Sequence, residues 1–384
     1  MNLRSLPQRI APSLVIVLGI GGVVGVLIAV LSLSRGLANT LATTGREDRV
    51  IFLHADANSE VASALTRDVV LRIMDAPGIA RTTDGKPLAS AEMLATVNLP
   101  RREGRSLASL TVRGVAPEVL ALRPEMKIVA GRLPTRGLNE LLAGRAAQMR
   151  FGTLDVGQRV KLGSTQWTVV GTFTSGGGDA HEAELLADAD TLLSSYRRTT
   201  LNSVIAKMAN ADAFQTLQKA VEDDPALAVT VTRESSYYRQ HSQVFSRFLA
   251  LIANLIGSIM AVGAIFAALN SMYSVVSART LEIATLRAIG FGAGAVVVSV
   301  ILESLVLALL GAAVGVLLAW LFFDGNTVST VGGGGINNVI FHLRIGGGLI
   351  VVGVVWACVV GLIGGLLPAI RAARLPVATA LRAV

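Results

Sequence analysis

The chain has 384 residues, 52% of them hydrophobic and 16% charged. A soluble domain carries about 25% charged residues, so part of this chain is dissolved in lipid. The net charge of +8 is no nucleic-acid patch: residues 35–247 hold 26 Lys and Arg against 23 Asp and Glu, and the rest holds 8 Arg, no Lys and 3 acids.

Residues 10–34 form a first charge-free run of 25. A helix needs about 20 apolar residues to cross a bilayer. The run also exceeds the 7–15 apolar residues usual in a signal peptide, which favours an uncleaved transmembrane helix. Residues 35–247 then return to ordinary charge density. Within them 50–56, 109–115, 158–173 (turning at Gly163-Ser164) and 227–232 have strand composition. Residues 59–78 carry Ser59 as N-cap, apolar Val61, Leu65, Val69 and Ile73, and a Pro-Gly stop, which predicts an amphipathic helix. Residues 212–224 predict another. The segment is expected to be a mixed α+β domain of two lobes. Its loop "SGGGDAHEAE" (175–184) places Asp179, His181, Glu182 and Glu184 after three glycines, but in no metal-ligand spacing, and is expected to be a mobile solvated loop.

Residues 233–247 favour helix and run without Pro or Gly into the second apolar run, 248–278. One continuous helix is expected there. A short bridge, "SARTLEIATLRAIG" (277–290), leads to a third run, 288–323, interrupted only by Glu303. A carboxylate in a span is costly unless it faces protein or water, so Glu303 is read as the partner of an arginine or backbone group, with a proton relay as the alternative. The loop 324–338 is Gly-rich. The fourth run, 345–370, sets Gly353, Ala357, Gly361 and Gly365 at four-residue spacing. Gly311 and Gly315 do the same in the third run, Gly21 and Gly25 in the first. Such stripes let helices approach closely where lipid gives no hydrophobic drive, here toward other helices, including those of a second copy.

The arginines orient the spans. With the N-terminus inside, Arg4, Arg9, Arg279, Arg287, Arg371, Arg374 and Arg382 are cytoplasmic, and only Arg344 lies in a short outer loop. Residues 35–247 are then outside the cytoplasm. The sequence has no G-x-x-x-x-G-K-[ST] loop and no G-x-S-x-G elbow, and its single cysteine, Cys358, lies in the fourth span. No catalytic residue, metal site or cofactor is expected in this chain, and no nucleic-acid partner. For the bridge, spacing leaves two readings level: a contact surface for a cytoplasmic partner, or arginines anchoring helix ends at anionic lipid headgroups.

Residues 277–320 resemble the FtsX-like permease domain of MacB-type ABC transporters, through Arg279, Glu282-Ile283, Leu286-Arg287-Ala288, Gly290, Glu303, Gly311 and Gly315. Residues 364–384 resemble that family's closing signature, with Pro368, Arg371, Arg374, Pro376, Ala380 and Arg382 in place. Residues 18–36 resemble its opening helix, and 126–173 part of a MacB-like periplasmic core domain. After Gly290 the chain reads "FGAGAVVV" where many relatives carry a basic turn, which implies a smaller cytoplasmic contact.

The resemblance implies an α-helical membrane protein with four transmembrane helices and a large α+β periplasmic domain between helices 1 and 2. Its parts are 1–34 (cytoplasmic N-terminus and helix 1), 35–247 (periplasmic core with stalk) and 248–384 (permease domain with coupling segment 277–290). It implies a permease subunit in the bacterial inner membrane, both termini cytoplasmic. ATP-Mg is expected on a separate ABC ATP-binding subunit gripping Arg279, Glu282, Leu286, Arg287 and Gly290. A second permease copy or paralogue completes the dimer, and some relatives add a periplasmic adaptor protein and an outer-membrane channel. The work expected is export or extraction of an amphipathic substrate (lipoprotein, lipid, peptide or drug) by mechanotransmission. The alternative is an FtsX-like regulator of a cell-wall hydrolase, a group whose outer domains tend to be smaller.

Overall fold

The computed structural model describes residues 10–102, 104, 106–176, 179–329 and 340–374. The calls on Arg4, Arg9, Pro376, Ala380 and Arg382, and on most of the Gly-rich loop, lie outside these residues. The chain divides into two compact units. One takes α1 as far as Gly36, Ser246–Asn326, and the chain from Leu343. The other takes Leu37–Phe245 with Thr327–His342.

In the helical unit, α1 (Ile10–Thr44), α7 (Glu234–Ala278), α9 (Ala293–Phe323) and α10 (Gly347–Ala373) are, among the described residues, the helices long and apolar enough to cross a membrane. The glycine stripes turn inward. A Cβ added at Gly21 would come 3.1 Å from the Gly311 carbonyl oxygen, and one at Gly25 would come 3.4 Å from that of Gly315, so α1 and α9 meet backbone to backbone. On α10, Gly353 faces Val24 and Ile28 of α1, Gly361 faces Ala308 of α9, and Gly365 faces Ser304. Ala357 is buried between them. Ser304 Oγ donates to the Gly361 carbonyl at 2.6 Å, a bond that the small residue makes reachable. These stripes therefore pack the chain's own helices against one another.

The other unit contains strands β1 (Arg49–His54), β2 (Ala89–Pro100), β3 (Leu107–Val115), β4 (Lys127–Gly131), β5 (Glu140–Gly144), β6 (Arg159–Leu162), β7 (Thr165–Thr174), β8 (Glu184–Asp188), β9 (Ser203–Lys207) and β10 (Val229–Arg233). Short helices α2 (Arg67–Met74), α3 (Val119–Leu122), α4 (Arg145–Arg150), α5 (Ala189–Ser195) and α6 (Ala213–Glu222) connect them. The strand order is β10-β1-β9-β2-β3-β8-β5-β7-β4, with β6 beside β7. Pairs β3–β8 and β5–β7 are parallel. Val50, Ile51, Phe52 and Leu53 of β1 are all buried, the pattern of a strand covered on both faces. The main core gathers Phe52, Trp167, Phe151, Val204 and Leu217 from along the whole sheet. The two expected lobes are thus joined: β2 pairs with β9 on one side and β3 on the other.

Two further readings are corrected. The helix predicted over 59–78 forms only at Arg67–Met74. Upstream, Leu65 exchanges backbone bonds with Leu201 at 2.7 and 2.9 Å, and Asn202 Nδ2 takes the carbonyls of Glu60 and Ser63 at 3.0 Å. Those tertiary bonds consume the groups that a helix needs. The segment 179–184 is not a solvated mobile loop. Ala180–Ala183 forms a buried turn, and His181, Glu182 and Glu184 are all shielded from water. A hairpin of β11 (Thr327–Ser329) and β12 (Ile340–His342), in the loop between α9 and α10, packs β12 against this same turn.

Candidate functional site

The bridge after α7 is built as a helix with a defined stop. Arg279 breaks the helical path, with φ −107° and ψ 15°, and α8 (Thr280–Ala288) begins after it. The end of α8 is a Schellman motif: Phe291 N–H reaches the Leu286 carbonyl at 3.1 Å and Gly290 N–H that of Arg287 at 3.2 Å. Gly290 holds φ +111°, a conformation costly for any residue with a Cβ, so glycine is dictated by the turn. Only Ile283 and Ala284 of α8 are buried. Leu281, Leu286, Ile289 and Phe291 are exposed, an apolar surface on the face where a helix in water would be polar.

Between the end of α7, α8 and the start of α9 lies a cleft of about 230 Å³, lined by Val276, Arg279, Glu282, Leu286, Phe291 and Glu303 among others. Arg279 joins its two carboxylates: Nε donates to Glu282 at 2.9 Å and Nη1 to Glu303 at 2.9 Å. Glu303 thus has an arginine as its partner. One guanidinium against two carboxylates leaves the cleft acidic, and Glu282 is 63% exposed at its rim. Arg287, in the last turn of α8, is half-buried. On α10, Pro368 is buried and Arg371 lies over the Tyr273 ring at 5.4 Å, while Arg374 caps the helix end. Arg382 lies outside the described residues.

A second constellation, not anticipated from sequence, occupies the middle of the sheet unit. Arg113 of β3 grips Glu184 with Nε at 2.7 Å and Nη2 at 3.0 Å, and its Nη1 reaches Glu92 at 2.6 Å and Glu60 at 3.0 Å. Arg123 reaches Glu234 at 3.0 Å and His181 Nε2 at 2.8 Å. Arg49 binds Glu234 at 2.6 Å and Glu125 at 2.7 Å. An arginine can only donate, so His181 Nε2 accepts and its Nδ1–H donates to Glu184 at 3.1 Å. Burial alone would raise the Glu184 carboxyl, but Arg113 and His181 hold it well below the usual carboxylate range. Glu234 is likewise lowered by Arg123 and Arg49 against its burial. Glu234 is the first residue of α7, and Glu234 Oε2 also accepts the Arg46 N–H at 3.1 Å. The network therefore fastens the start of the long helix to the sheet. A signal was present in the sequence: Arg113, Glu92 and Glu184 each stand directly between apolar residues or glycine, where a buried charge needs a partner.

Membrane-length helices, a mixed-sheet domain threaded between the first two and a charged helical bridge define a polytopic membrane protein with a large extramembrane head. Residues 13–224 match the MacB-like periplasmic core domain and residues 254–377 the FtsX-like permease C-terminal domain. The chain belongs to the MacB/FtsX-like ABC transporter permease family. It is similar to the periplasmic region of MacB from Actinobacillus actinomycetemcomitans, at 12% identity and TM-score 0.38, over 50% of this chain and 91% of that one. It is also similar to the extracellular domain of the noncanonic ABC-type transporter YknZ from Gram-positive bacteria, at 14% identity and TM-score 0.37, over 48% of this chain and 99% of that one. No curated protein matches this chain in sequence.

Proposed function

We propose that the chain is the permease subunit of a MacB-type ABC transporter, coupling ATP hydrolysis on a separate ATP-binding subunit to movement of its outer domain. That movement drives export or extraction of an amphipathic substrate. The observation that carries this reading is α7, one helix from Glu234 to Ala278. Its first residue is held in the buried charge network. Its last turn leads into Arg279, which binds Glu282 and Glu303. Force applied at α8 has a continuous element along which to travel, and rigid-body coupling needs such elements.

In this reading the N- and C-termini are cytoplasmic, as the arginine asymmetry supports. The acidic cleft and the exposed Leu281, Leu286 and Phe291 are the surface that the ATP-binding subunit grips, and a second permease subunit completes the pair. ATP-Mg belongs to that partner, whose closure moves α7 and then the head. The ten-stranded head supports an exporter over a cell-wall regulator of the FtsX kind, whose outer domains tend to be smaller.

The test is charge reversal at the cleft rim. Glu282→Arg is expected to reduce copurification of the ATP-binding subunit and its stimulated hydrolysis. Undiminished assembly and hydrolysis would refute docking through α8.

A further inference from the structure

The cleft between the end of α7, α8 and the start of α9 also has the make-up of a small-molecule site. Apart from Arg279, Glu282, Ser299 and Glu303 its lining is apolar, with Met272 buried and Phe291 exposed. Ligand sites are mostly apolar clefts with a few placed polar groups. At about 230 Å³ this one falls below the roughly 300–1,000 Å³ of sites for drug-sized molecules. It has room for a short hydrocarbon and one head group.

The charges specify that head group. Arg279 donates through Nε to Glu282 Oε2 and through Nη1 to Glu303 Oε2, both at 2.9 Å. The other oxygen of each carboxylate, Oε1, accepts no hydrogen bond among the described residues. Two carboxylates against one guanidinium leave excess negative charge in the cleft lining. Glu282 is exposed, whereas the Glu303 side chain is only 22% exposed. A cation reaching Glu303 Oε1 makes a charge-assisted hydrogen bond partly withdrawn from water, where such bonds are strong. An anion would meet two like charges.

We infer that the cleft binds a small amphipathic cation, a primary ammonium on a short hydrocarbon body. The ammonium sits on Glu303 Oε1, and the hydrocarbon lies against Met272 and Phe291. Such a cation competes with the ATP-binding subunit for the cleft. That competition, and not the binding, rests on the proposed function.

The experiment uses the full chain in a non-ionic detergent, with isotope-labelled methionine methyl groups followed by NMR. It is titrated with hexylammonium, butylammonium, hexanol and hexanoate. The Met272 methyl signal, assigned by its loss in Met272→Leu, reports the cleft, and the other methionines report general effects of the solute. Hexylammonium is expected to shift Met272 saturably, at about tenfold lower concentration than the other three. Glu303→Gln is expected to weaken hexylammonium about tenfold and leave hexanol unchanged. Glu282 and Phe291 are exposed, so Glu282→Gln and Phe291→Ala read the charge and the apolar contact without disturbing the fold. Each is expected to weaken hexylammonium about threefold. A Met272 signal that hexylammonium leaves unmoved, or that hexanol saturates at the same concentration, would overturn the inference. With the assembled transporter, hexylammonium is expected to release the ATP-binding subunit at the concentrations that saturate Met272. Saturation without release would uphold the site and refute docking in the cleft. Loss of assembly in Glu282→Arg without any Met272 shift in the parent chain would uphold docking and overturn the site.

Discussion

Arg49 and Glu234 meet at 2.6 Å with neither side chain reaching water, although 185 residues separate them. The first residue of β1 is thereby tied to the first residue of α7. Glu234→Ala would leave Arg49 and Arg123 facing each other without their shared counter-charge. Breaking a buried pair from one side costs about 3–5 kcal/mol. Chemical or thermal unfolding of the detergent-solubilised chain should show a loss of that size, and a loss below about 1 kcal/mol would mean that the tie is not structural.

Acid should loosen the head. Glu184 and Glu234 have folded-state pKa values below the unfolded carboxylate value near 4.3. Glu140, beside Arg132, is lowered to about 2. A lowered carboxylate contributes stability above the unfolded pKa and loses it as pH falls toward the folded one. Stability should therefore be flat from about pH 7 to 5 and fall below about pH 4.3. Glu184→Gln should lower the plateau and flatten that fall. An unaltered acid profile in Glu184→Gln would count against the assignment.

The helix contacts leave no room for side chains. A Cβ at Gly361 would stand 2.5 Å from Ala308 Cβ, and one at Gly365 2.7 Å from Ser304 Cβ. Overpacking costs about 1–3 kcal/mol. Gly361→Val should lower the unfolding temperature in detergent, whereas Gly294→Ala, near the start of α9 with nothing within 4 Å, should leave it unchanged.

If α7 transmits force, interrupting it should separate fuel use from work. Replacing Ser242-Gln243 with Gly-Pro puts a breaker costing about 3 kcal/mol inside the helix. ATP hydrolysis by the assembled transporter should persist while export falls. Export at the parental rate would remove α7 from the mechanism.

Orientation has its own measurement. With Cys358 replaced by Ser, a thiol introduced by Val384→Cys should resist an impermeant maleimide in intact cells and react after lysis. Labelling before lysis would invert the proposed topology.

Much of this architecture could be read from the residues in order. Long runs with no charge, or in α9 only Glu303, mark α1, α7, α9 and α10 because hydrocarbon tolerates so few charges. The absence of Pro and Gly in 233–247 anticipated the unbroken start of α7. The charge network was hidden because its members come from distant segments: Glu60, Glu92 and Glu184 converge on Arg113 from 53, 21 and 71 residues away. Periodicity over 59–65 suggested helix, but Asn202 and Leu201 claimed the backbone there. The glycine stripes predicted close contact; spacing alone could not say that Gly353 would meet α1 and Gly361 would meet α9. At the bridge, Gly290 was legible as a family feature, and its positive φ supplies the reason.

β1 follows α1 and β10 precedes α7, and these two strands are hydrogen-bonded neighbours in register from Val50–Arg233 to His54–Val229. Every other strand of the ten-stranded sheet is inserted between them. The ten-stranded sheet is therefore a cassette with adjacent attachment points. Evolution, or an engineer, could exchange its interior for one that handles a different cargo and leave the lipid-embedded machinery as it stands.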